Sequence, residues 1–89
     1  MTVGLAWYEE RDYAAILAIT EDADRLPSTF SSWLEEAEKT ERALKRQGHT
    51  VVRAMILAGE FPAWCQSRGM EVDADARKLF ANYVAAGKL

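Results

Sequence analysis

The sequence predicts one mainly helical α+β domain spanning residues 1–89, and three observations carry that reading. Apolar side chains recur at helical spacing in most of the chain. One segment, GHTVVRAMIL at 48–57, breaks that pattern: six of its last seven residues are apolar, and Val51-Val52 favours an extended backbone. The composition, 49% apolar and 28% charged with nine aromatic residues, is that of a chain that builds a compact core. The expected order is helix, long helix, strand, short helix, helix, with a small two-stranded ribbon whose second strand comes from this chain or from another copy.

The first helix is read over 11–22, RDYAAILAITED. Asp12 is the expected cap, Tyr13, Ile16, Leu17 and Thr20 share a face, and three alanines favour the helix. Pro27 breaks the pattern, and Ser28 or Thr29 is placed to cap the next helix. There Phe30, Trp33, Leu34, Ala37 and Leu44 follow the 3.6-residue period, with Thr40 and Glu41 the weak turn between them. Its outer face is expected to carry Glu35–Lys39, Glu38–Arg42 and Glu41–Lys45, acid first and four apart, each adding ~0.2–0.5 kcal/mol. Gly48 suits the left-handed residue that ends it.

The strand is read over 49–57. A short helix follows over 60–68, with Phe61, Trp64 and Cys65 on one face and Pro62 in the first turn, where no intrahelical bond is lost. Asp73 caps the last helix, 73–86, whose stripe is Ala76, Leu79, Phe80, Tyr83 and Val84, and Gly87 ends it.

Net charge is −3, divided as −4 over residues 1–47 and +1 over 48–89. A duplex-binding face is normally strongly basic, so nucleic acid is disfavoured as a partner. One cysteine precludes an internal disulfide framework and polythiolate zinc sites. No leader and no membrane-length apolar run is read, so a cytoplasmic location without membrane attachment is expected.

The residues most able to do chemistry read better as structure. Cys65 lies with Phe61 on an apolar face, as buried cysteines do. The lone His49 sits at a helix-to-strand corner, where a polar turn residue is expected. The pairs Asp22/Asp24 and Asp73/Asp75 sit at helix ends, where acids favour the dipole, and lack the glycine and distal glutamate of a calcium loop. No glycine-rich phosphate loop and no nucleophile elbow is present. No catalytic residue, metal ligand or cofactor is therefore expected. Trp33 and Trp64 read as core, with Trp7 left open.

The stretches DRLPSTFSSWLEEAEK, GHTVVRAMI, EFPAWCQSRG and DARKLFANYVAA resemble a group of short uncharacterised bacterial proteins. The resemblance runs from about Trp7 to Ala86, its most specific pieces being Arg25-Leu26-Pro27 and Trp64-Cys65. Where that group has an Asp-Pro helix start, this chain has Leu57-Ala58-Gly59. The resemblance implies a bacterial source and a complete small protein, and brings no activity with it.

A strand this apolar needs a partner, because each buried unpaired backbone group costs ~1–3 kcal/mol. Three candidates exist: the N-terminal TVGLAWY, the short GMEV at 69–72, and the same strand of a second copy across a two-fold axis. The reading favours the second copy, then the N-terminus. Val51, Val52, Arg53, Ala54 and Met55 are thus the candidate dimer strand. The functional expectation is a non-enzymatic interaction or regulatory module, homodimeric, acting through protein–protein contacts. The alternative is a weak DNA-binding regulator of strand-helix-helix order with Arg53 as its reader. The third is a small enzyme using Cys65 or clustered acids.

Overall fold

A computed structural model describes residues 1–88. The elements are β1 (Thr2–Trp7), α1 (Tyr13–Ile19), α2 (Phe30–Arg46), β2 (Thr50–Met55), α3 (Phe61–Ser67) and α4 (Ala74–Ala85), with 3-10 turns at Glu10–Asp12 and Ala23–Arg25. The fold is mainly helical α+β, and its sheet has two parallel strands.

β2 pairs with β1 in the register Thr2↔Thr50 to Trp7↔Met55. The partner of β2 in this fold is therefore the N-terminal segment, and a second copy is not what satisfies that edge. A parallel pair needs a long crossover, here supplied by α1 and α2. β2 is also shorter than the 49–57 read from sequence, because the chain turns into α3 after Met55.

The two strands are sandwiched between helices. Gly4, Ala6, Val52 and Ala54 lie on one face, and α4 comes down on it so closely that a Cβ at Gly4 would sit 2.6 Å from the Ala81 carbonyl carbon. Glycine is required here by contact, since β1 is ordinary extended backbone. The other face, carrying Trp7 and Arg53, meets α2. Trp7 is buried edge-on to Trp33 at 5.1 Å, which answers the question of its role. Tyr8, Tyr13 and Phe30 complete that aromatic cluster. A second cluster of Phe61, Trp64, Phe80 and Tyr83 joins α3 to α4.

Local signals fix most helix ends. Thr29 accepts the Ser32 N–H and Asp73 the Ala76 N–H, as their side chains predict. Gly48 and Gly87 carry positive φ where α2 and α4 stop. Three readings are corrected. α1 begins at Tyr13 and stops at Ile19, because Thr20 is extended. Asp12 does not cap it: its carboxylate accepts the Ala58 N–H at 2.8 Å and ties down the loop after β2. Glu41 does not lie on the outer face of α2 with Lys45 but turns inward and is buried. Of the three expected surface pairs, Glu35–Lys39 is formed, at 3.7 Å. α3 starts at Phe61, and Glu60 at its N-cap position makes no side-chain cap.

Candidate functional site

Two arginine–carboxylate locks hold the sheet between its helices. In the first, Arg77 of α4 reaches under the end of α1. Its Nη1 donates to Asp22 Oδ1 at 2.9 Å and its Nη2 to Oδ2 at 2.7 Å, a bidentate pair. Nη1 also donates to the Thr20 hydroxyl at 2.6 Å. That hydroxyl lies 2.6 Å from Asp22 Oδ1 and 3.1 Å from the Val72 carbonyl, either of which can take its proton. The Arg77 hydrogen bonds hold the Asp22 carboxyl well down, to about 2. Burial pushes the neighbouring Tyr8 phenol up to about 12, so it stays neutral beside the guanidinium.

In the second lock, Arg53 of β2 donates from Nε and Nη2 to the two oxygens of Glu41, each at 2.8 Å. Its guanidinium carbon lies 4.0 Å from the centroid of Trp7, a cation–π contact. Those hydrogen bonds hold the Glu41 carboxyl below its ordinary range. Arg53 is thus occupied within the fold, and the strand-helix-helix DNA reading has no free basic reader on β2. Sequence spacing could not reveal either lock, because the partners are 55 and 12 residues apart.

The strand edges are the open feature. Thr50 N–H donates to the Met1 carbonyl and Ile56 N–H to that of Trp7, so the even-numbered residues of β2 face β1. By alternation, Val51, Arg53 and Met55 turn their N–H and C=O groups outward, and on β1 Thr2, Gly4 and Ala6 do the same. Among the described residues none of these outward groups has a hydrogen-bond partner in the protein. Beside the β2 edge, Met55 and Leu57 are exposed apolar side chains and border a cavity of about 150 Å³ with Phe61, Trp64 and Phe80. The β1 edge lies between two grooves. One of about 260 Å³ faces α2 and includes Leu5, Trp7, Leu26, Pro27 and Trp33; one of about 390 Å³ faces α4 and includes Val3, Lys78 and Asn82.

The residues first considered for chemistry fall elsewhere. Cys65 is buried in the core at 1% exposure, and burial pushes its thiol up. The two acid pairs do partly converge: Glu21, Asp22, Asp73 and Asp75 line one cleft with Arg25. Asp22 is nevertheless held by Arg77 and Asp73 by the α4 cap. Among the described residues no group of three or more His, Cys, Asp or Glu is placed to hold a metal ion, and no helix is long and apolar enough to cross a membrane.

The chain matches no family model, no curated protein and no solved structure. The class is accordingly defined by geometry alone: a minimal two-stranded parallel sheet between helices, locked by two ion pairs and open at both edges. The resemblance carried by the short motifs gains no support from those comparisons.

Proposed function

We propose that this protein is a non-enzymatic interaction module that works as a homodimer, joined through the outer edge of β2. The observation that supports this reading is the unpaired outer row of β2: an exposed strand edge is a template for further pairing. The β2 edge favours a second copy because the exposed apolar pair Met55 and Leu57 adjoins it. A two-fold antiparallel pairing centred on Arg53 would oppose two guanidinium groups. Centring it one residue on, at Ala54, sets Arg53 against the partner's Met55 and covers apolar surface. Two copies then share one four-stranded sheet, β1-β2-β2-β1.

The test is thermal unfolding across a concentration series. A dimer's melting temperature rises with concentration by mass action. Met55→Lys, which places a charge on the pairing edge, should remove that rise while leaving the dilute-limit melting temperature nearly unchanged. A wild-type melting temperature that does not depend on concentration would defeat the homodimer.

A further inference from the structure

We infer that the outer edge of β1 is a docking site for an extended segment of another protein, rich in alternating apolar and acidic side chains, which adds as a third strand. This rests on the interaction-module reading and names the partner chemistry, but it uses the opposite edge of the sheet from the one proposed for self-pairing. The first argument is the backbone. Thr2, Gly4 and Ala6 present their N–H and C=O groups outward at every second residue, and Gly4 and Ala6 are partly exposed. Such a row is complementary to an extended main chain and to little else.

The second argument is the pair of grooves flanking that row. Successive side chains of an added strand point to opposite faces of the sheet, one toward α2 and the next toward α4. The α2-side groove is walled by Leu5, Leu26, Pro27, Trp33 and Ala37, and its position is fixed by the Tyr13 hydroxyl donating to the Pro27 carbonyl at 2.6 Å. Arg25 and Glu36 set opposite charges at its border, so it favours neither sign and takes an uncharged apolar side chain. The α4-side groove holds two cations, Arg77 and Lys78. Arg77 is neutralised by Asp22, whereas Lys78 is exposed and has no acidic partner among the described residues. Asp73, the α4 cap, and Asp75 in its first turn line the neighbouring cleft instead. A carboxylate at the α4-facing positions therefore meets an uncompensated lysine. Alternation of the two preferences along one strand defines the ligand class.

The test uses a short capped peptide of alternating glutamate and leucine, whose pattern reads the same in either strand direction. Titrated into the isotope-labelled full chain, it should saturate below about 1 mM, with amide shifts concentrated at residues 2–6 and at Lys78. The same peptide N-methylated on alternate residues keeps the side chains but loses the ladder donors, and should bind at least about tenfold more weakly. Lys78→Glu should weaken the glutamate peptide about threefold and leave a glutamine/leucine peptide unchanged. Absence of saturation, equal binding of the N-methylated peptide, or shifts confined to residues 51–57 would each overturn the proposal. Running the titration on Met55→Lys as well keeps the two readings apart. Peptide binding there with no self-association leaves the β1 site standing when the homodimer falls, and self-association in the wild type without peptide binding does the reverse.

Discussion

Gly4→Ala probes how α4 is seated on the sheet. A methyl group built at Gly4 would lie 2.6 Å from the Ala81 carbonyl carbon, closer still to its oxygen, and 3.2 Å from the Ala85 methyl. Comfortable carbon–carbon contact begins near 3.5 Å, so β1 and α4 must separate by roughly 1 Å. The obstacle is helix backbone, which cannot rotate aside as a flexible side chain would. The separation opens the packing around Ala76 and Ala81, which are 0% and 2% exposed. Overpacking of this kind costs ~1–3 kcal/mol, occasionally more. Alanine recovers ~0.4–1 kcal/mol by restricting the unfolded chain. Mid-range values leave a net loss of about 1.3 kcal/mol, a sizeable part of the ~4–13 kcal/mol expected for a chain this size. In urea, with a slope of ~1 kcal/mol/M, the midpoint should fall by about 1.3 M; on heating, the melting temperature should fall by ~5–10 °C. Gly59→Ala is the control, because no atom lies within 4 Å of the added methyl and its φ is not positive. It should be neutral or slightly stabilising. A Gly4→Ala midpoint at or above the wild-type value would refute the close seating of α4.

Two further outcomes follow from the core. Because folding lowers the Asp22 pKa from 3.8 to about 2, its contribution is complete above about pH 5 and is lost as pH falls toward 2. After allowance for the solvent-facing side of the carboxylate this limb is worth about 1–2 kcal/mol; acid titration of the unfolding midpoint should show it, and Asp22→Asn should flatten it. Cys65, buried with a raised pKa, should react slowly with a thiol reagent in the native state and quickly in denaturant. Rapid native labelling would reopen a thiol chemistry.

Much of the fold is legible in the sequence because it is encoded locally. The period of Phe30, Trp33, Leu34 and Ala37, the caps at Thr29 and Asp73, and the stops at Gly48 and Gly87 each depend on neighbours within a turn or two. What the sequence hides is long-range. Glu41 looks like one more surface acid on α2 until β2 brings Arg53 across to it. Arg77 interrupts no pattern in α4, yet it is buried against Asp22, which lies between the two helices of the crossover. Gly4 reads as a weakness in a short N-terminal strand, whereas a helix backbone occupies the space its side chain would need. The same limit governs the strand partner. An apolar strand announces that it must pair, but the choice between β1 and another copy depends on where α1 and α2 deliver the chain. The candidate site inherits that limit. Val51 to Met55 are one strand as expected, but only the register shows that Val51, Arg53 and Met55, and not Val52 and Ala54, face the free edge.

Static light scattering on the wild-type protein tests the central proposal most directly. At high micromolar concentration the account predicts a particle of twice the 10.0 kDa chain mass, dissociating on dilution and held at the chain mass by Met55→Lys. A wild-type mass of 10.0 kDa throughout that range would contradict it.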